Sequence, residues 1–123
     1  MRFSDLIEKY SKEVELIVEK EGHYEGPRWV DGETTKYTGR LAIFYMTPED
    51  IEYYEGGNYT KQDIKAYAPE YLEVKNVDTQ EKTTITLDTE DKIVFRNDTF
   101  EIQEHQPKIH VDYHVYVAKK VND

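Results

Sequence analysis

The sequence predicts a mainly β protein, a small antiparallel β-barrel or sandwich with one or two short helices and a long inter-strand loop. Short runs rich in Val, Ile, Tyr and Phe recur along the chain, separated by Gly, Pro, Asn and Asp. Several of these runs alternate apolar and polar residues, as half-buried strands do. With 123 residues and a hydrophobic fraction of 37%, the chain can bury one modest core and not two, so residues 1–123 form a single domain. The 11 Tyr, 4 Phe and 1 Trp exclude a disordered acidic chain and suit a thin β core with half-wet faces, or contact surfaces.

In chain order, Ser4 caps a short N-terminal helix over about residues 4–11, with Leu6, Ile7 and Tyr10 on one face. Residues 13–20 are ambiguous by periodicity. Ile7, Tyr10, Val14, Ile17 and Val18 fit one long helix, whereas Val14, Leu16 and Val18 fit a strand. The β-branched richness of the run favours a strand from about Glu13 to Lys20. Residues 21–33 are turn chemistry, punctuated by Gly22, Gly26-Pro27 and Asp31-Gly32, with Trp29 as a hydrophobic anchor tying this loop to the barrel. Thr35–Met46 is the strongest strand; its consecutive apolar residues Leu41–Met46 require cover on both faces, from a central position or from a partner subunit.

Lys61–Tyr67 follows as a strand with Ile64 and Tyr67 inward, Ala68-Pro69-Glu70 bends it, and Tyr71–Val74 is a brief extended piece. Lys75–Lys82 reads as an exposed, mobile loop, and Thr83–Leu87 as a strand. Lys92–Arg96 and Thr99–Ile102 read as a hairpin turning at Asn97-Asp98, which would set Phe95 opposite Phe100 and Ile93 opposite Ile102. From His110 to Ala118 the pattern alternates. Val111, Tyr113, Val115 and Val117 share one face, and His110, Asp112, His114 and Tyr116 the other.

Between the two best strands lies Thr47–Thr60, an insertion of the kind that carries function on rigid scaffolds. Thr47, Pro48 and Asp50 supply an N-cap, a favoured N1 proline and an acidic N3. Ile51 and Tyr54 share a face, Gly56-Gly57 breaks the helix, and Asn58-Tyr59 leads back toward the next strand.

The formal net charge of −10 argues against a nucleic-acid-coating role, although not against a protein that DNA passes without sticking. Solubility is the simpler reading of that charge. Without cysteine there are neither disulfides nor thiolate metal sites. No apolar run approaches the roughly 20 residues of a membrane span, and Met1–Leu6 contains no apolar signal region. His110, Asp112 and His114 point one way on a strand, about 7 Å apart per step. With His105 or His23 they offer imidazole and carboxylate donors for a metal. Strand neighbours diverge, however, and an alternating polar face is what a solvated outer surface looks like, so no metal or other cofactor is predicted. No Gly-x-Ser-x-Gly, cysteine or phosphate loop is present, and no acid pair stands out among 26 Asp and Glu; no catalytic residue and no enzyme activity is expected.

The run Thr47–Tyr67 resembles the central segment of the head-closure (stopper, or head–tail joining) proteins of tailed phages and prophages. Asp91–Ile102, the tyrosine-bearing Tyr113–Val117 with Lys119-Lys120, and the early Arg28–Gly32 are similar to the same family's other parts, so the resemblance spans about Glu13 to Val121. It implies a ring-forming virion assembly protein that seals the DNA channel after packaging and presents the tail's docking surface. It further implies a channel or gating loop within Thr47–Tyr67, with Tyr53, Tyr54, Gly56, Gly57, Asn58 and Tyr59 as its movers. The implied partners are a portal-side adaptor protein, a tail-side joining protein and further copies in a ring on the assembled connector, with DNA passing through unbound and no membrane. The implied location is the virion neck, and the host bacterial cytoplasm before assembly. The alternative is a small β-barrel binding a ligand or metal through the His110/Asp112/His114 face.

Overall fold

The computed structural model describes residues 9–20, 22–107 and 113–121. Its strands are β1 (Ser11–Lys20), β2 (His23–Glu25), β3 (Arg28–Val30), β4 (Glu33–Tyr45), β5 (Ile64–Ala68), β6 (Leu72–Asn76), β7 (Lys82–Ile85), β8 (Lys92–Phe95), β9 (Asp98–Pro107) and β10 (His114–Lys120). Helix α1 (Pro48–Tyr53) and a 3-10 turn (Glu55–Gly57) follow β4. Strands β1, β8, β9, β10, β5 and β4 pair in that order, and β4 pairs back onto β1. Every pairing is antiparallel, so the six strands close a barrel and leave no free edge among themselves.

β4 organises this architecture. One of its edges pairs with β1 from Ser11↔Ala42 to Lys20↔Glu33. Its other edge is divided: Ala42–Tyr45 pair with β5, and Tyr37–Gly39 with β6. Pro69, which has no N–H to give a ladder, falls in the break between β5 and β6. The β6–β7 hairpin therefore hangs on β4 outside the closed ring. At the junction Gly39 is required by close approach, since a Cβ there would lie 3.0 Å from Val74 and 3.3 Å from Leu16. The interior holds Leu16, Leu41, Ile64, Ile93, Phe100, Ile102 and Tyr116, which are essentially inaccessible to solvent.

Residues 13–20 are strand throughout, and the strand begins as early as Ser11; the rest of the expected N-terminal helix lies, up to residue 8, outside the described residues. Several expected details are corrected. In β5 the inward residues are Ile64, Ala66 and Ala68, while Tyr67 packs on the outer face against Phe44. A strict period of two cannot place both Ile64 and Tyr67 inside. The 92–102 hairpin turns at Arg96-Asn97, both with positive φ (50° and 66°), so Phe95 faces Asp98 and Ile93 faces Phe100. A shift of two leaves every side chain on its expected face. Lys75–Lys82 is a hydrogen-bonded hairpin end and not a loose loop: Asn76 Oδ1 accepts from the amides of Asp78 (2.8 Å) and Thr79 (3.0 Å). Trp29 does not tie its loop to the barrel. It is 52% exposed, and its ring packs on Tyr24 (4.9 Å, edge-on) within the β2–β3 hairpin.

β10 carries the largest correction. His114 and Tyr116 turn toward the barrel interior, and Val117 packs under the α1 segment outside. The face expected to be solvated is thus turned to the interior, and both faces of His114–Ala118 are buried. His110 and Asp112 lie outside the described residues.

Candidate functional site

The β4–β5 ladder runs one step beyond its strands, with Met46 N–H donating to the Asp63 carbonyl at 3.0 Å. Between those residues the chain leaves the barrel and returns. Thr47 opens the excursion with a reciprocal capping box. Asp50 N–H donates to Thr47 Oγ1 (3.2 Å), and Thr47 N–H donates to Asp50 Oδ2 (2.9 Å). A helix of six residues is too short to persist alone in water, so its place depends on what it touches.

Those contacts are both apolar and polar. Ile51 and Tyr54 pack on a small cluster of Met46, Tyr59 and Val117, separate from the barrel core. Tyr59 is only 6% exposed and its hydroxyl donates to Glu104 Oε2 at 2.7 Å, on β9. Tyr54 reaches Gln106 on the same strand, its hydroxyl 3.4 Å from Oε1. Lys65 Nζ on β5 donates to Asp50 Oδ1 at 2.7 Å. Lys119 Nζ on β10 donates to the Asn58 carbonyl at 2.6 Å, where Asn58 adopts the left-handed conformation (φ 55°) that closes the 3-10 turn. Asp63 is almost fully buried and gathers the return: it accepts from Thr60 N–H (2.7 Å), Lys120 N–H (2.8 Å) and Lys119 Nζ (3.5 Å).

These ties shape the local electrostatics. Burial by itself would raise the Asp50 carboxyl, but hydrogen bonds from Lys65 and Thr47 outweigh it and hold the group below the usual carboxylate range. Lys65 is the converse: burial would lower its ammonium, and Asp50 holds it above the usual value. Burial first, then the Glu104 carboxylate, pushes the Tyr59 phenol far up, so it remains a donor at any physiological pH.

Of the expected moving residues, Tyr53, Gly56 and Asn58 are exposed, Tyr53 at 72% with Tyr54 edge-on to it at 4.7 Å. Tyr54 is half-buried and Tyr59 is an anchor. The two glycines differ. A Cβ on Gly57 would overlap the Tyr59 ring, whereas Gly56 faces open space. Neither has positive φ, so close packing at Gly57, and not unusual backbone, demands a glycine there.

Sequence reasoning missed Lys65, Asp63, Glu104 and Lys119. One signal was available for Asp63: Thr60-Lys-Gln-Asp63 repeats the Thr-x-x-Asp spacing of Thr47–Asp50 and makes the same amide-to-carboxylate contact. Glu104 and Lys119 lie tens of residues away and carry no local signature.

No protein-family model matches the chain, and a search of the curated proteins finds no match. Among the described residues weighed for a metal, His105 and His114 are brought together while His23 stands apart on the β2–β3 hairpin; His110 and Asp112 lie outside the described residues. His114 pairs across strands with His105, whose ring stacks on Tyr116 at 4.6 Å. Burial, then the neighbouring His114, lowers the His105 imidazole, and burial pushes the Tyr116 phenol up to about 12. Among the described residues no group of three or more His, Asp or Glu is placed to hold a metal ion.

Proposed function

We propose that this chain is a structural subunit of the neck of a tailed phage or prophage particle. In this reading it is a head-closure protein that forms a ring, seals the DNA channel after packaging and offers the tail its docking surface. The observation that carries the reading is how Thr47–Thr60 is attached. The segment is docked on the outside of a closed barrel by the apolar cluster around Tyr59 and by polar ties to Lys65, Glu104 and Lys119, with Tyr53 exposed. Each such tie includes a charged group and contributes a net stabilisation of about 1.5–3 kcal/mol. A partner surface or passing DNA could replace them one by one, and the six-stranded ring would stay closed while the arm moved. A loop that must block a channel and then withdraw needs that combination of rigid base and exchangeable latch.

The partners of this reading are a portal-side adaptor ring and a tail-side joining protein, with self-association completed on the assembled connector. The alternative ligand or metal site on the last strand has less support, because His114 is turned inward onto His105. Electron microscopy of particles assembled without the protein tests the proposal. The expected outcome is DNA-filled heads that leak and carry no tails; fully tailed, infectious particles would overturn it.

A further inference from the structure

A hollow of about 630 Å³ opens between the Thr47–Thr60 arm and the strand that holds it. Tyr53, Tyr54 and Tyr59 line it from the arm, and Gln103, Glu104 and Gln106 from β9. The three rings follow one another nearly at right angles. Tyr53 meets Tyr54 at 82° with 4.7 Å between centroids, and Tyr54 meets Tyr59 at 84° and 6.2 Å. Rings set this way wall a space on more than one side, and each carries a face whose negative charge attracts cations. The Tyr59 ring already attracts one, Lys119 Nζ, 5.7 Å from its centroid.

The polar lining asks for the same kind of ligand. Glu104 accepts from the Tyr59 phenol through Oε2, but among the described residues no cation pairs with it, and no Lys or Arg lines the hollow. The Gln103 amide nitrogen is engaged by Glu101 Oε1 at 3.1 Å, which leaves its carbonyl oxygen as an acceptor. The two lysines tied to the arm are committed elsewhere. Lys65 is held by Asp50 at 2.7 Å, and Lys119 by the Asn58 carbonyl at 2.6 Å and Asp63 at 3.5 Å. Two other hollows carry bases beside their acids: Arg40, Lys75 and Lys82 line one, Lys61 and Lys120 another.

We propose that this hollow binds an organic ammonium, a protonated amine on an apolar stem, with its nitrogen toward Glu104 and its stem among the tyrosine rings. The carboxylate and amide oxygens accept the N–H donors of such a group, and the rings hold both its charge and its methylenes. A bare metal ion fits worse, since among the described residues no three His, Asp or Glu are placed to hold one. An anion would meet Glu104 and a chain of net charge −10. The volume suits a small organic molecule and exceeds what a single ion fills. A free diamine and the side chain of a peptide lysine share this chemistry. Because one wall belongs to the arm and the other to β9, an occupant holds the two together and favours the docked arm. The inference stands on this geometry and does not depend on the neck assignment.

NMR titration of the purified protein at neutral pH and matched ionic strength tests this, with cadaverine and Nα-acetyllysinamide as separate probes. Cadaverine should bind saturably, its methylene protons shifted upfield by the rings. Pentanol, the same stem without charge, should bind at least about tenfold more weakly. Glu104→Gln keeps an acceptor for the Tyr59 hydroxyl and should weaken cadaverine binding by at least about tenfold. Tyr53→Leu, at a site 72% exposed, keeps apolar bulk without the ring and should weaken it about threefold. That exposed variant decides the matter even where Glu104→Gln disturbs the fold. Saturation by both probes supports the site for any ammonium on a stem, by cadaverine alone for a free diamine, and by Nα-acetyllysinamide alone for a peptide lysine. Failure of both amines to saturate, pentanol binding as tightly as cadaverine, or either folded variant binding like wild type would each overturn the proposal. The neck assignment, tested on particles, would survive any of these failures.

Discussion

Two insertions leave the barrel, and both are rich in aromatic residues, yet they end in opposite states. The Thr47–Thr60 segment folds back and buries Tyr59 over Met46 and Val117. The β2–β3 hairpin stands clear, its Tyr24 and Trp29 packed on each other. Aromatic content does not distinguish them. The first segment meets a depression on the barrel and polar groups, Glu104, Lys119 and Lys65, at the positions where its own donors and acceptors arrive. The second satisfies its polar atoms internally, the indole on Asp31 and His23 beside Glu25, so the barrel offers it nothing it lacks. Docking is therefore decided by matched polar pairs as much as by buried area.

That contrast can be tested from its strongest element downward. Tyr59→Ala removes a buried ring and strands Glu104, and should cost roughly 3 kcal/mol, read as a lower urea midpoint with unchanged slope. Asp63→Ala leaves the amides of Thr60 and Lys120 without their acceptor and should cost about 2 kcal/mol in the same assay. Gly57→Ala drives a methyl group into the Tyr59 ring and should cost about 1–3 kcal/mol. Its neighbour Gly56→Ala, facing open space, should stay within about 0.5 kcal/mol. On the β2–β3 hairpin, Trp29→Ala should likewise leave the melting temperature nearly unchanged, a shift worth no more than about 0.5 kcal/mol. A large loss there would mean that the hairpin contributes to the barrel after all.

Acid probes the strand to which the docked segment is tied. Glu104 and Gln106 of β9 hold the tyrosines outside, and His105 between them turns inward to His114 and Tyr116. The folded imidazole of His105 titrates below its unfolded value, so as pH falls through the usual histidine range the unfolded chain takes up a proton that the folded one resists. Stability should decline as pH drops below about 6.5 and level off below the folded value. Thermal melts across this range should show the decline flattened in His105→Gln.

Much of the architecture was legible. β-branched runs marked the strands, and Thr47-Pro48-Glu49-Asp50 announced its cap, which the structure contains in full. Sidedness was harder to read. On β10 the polar-looking residues face inward because His114 and Tyr116 meet His105 inside, while Val117 can face outward because an insertion covers it. On β5 the inner positions go to small Ala66 and Ala68, and the larger Tyr67 goes outside, where Phe44 packs on it. The ties that fix Thr47–Thr60 were not legible, since Glu104 and Lys119 come from strands far along the chain and nothing local marks them.

β10 has one more consequence, for the chain as it is made. This strand follows the other five barrel strands in the chain and fills the gap between β9 and β5, so the barrel wall stays open until residues 114–120 have left the ribosome. Until then β5 and β9 present unpaired backbone and a lengthwise strip of the future interior. All five other barrel strands must be synthesised before the ring of strands can close, and the arm at Thr47–Thr60 waits as long for Lys119 to reach it.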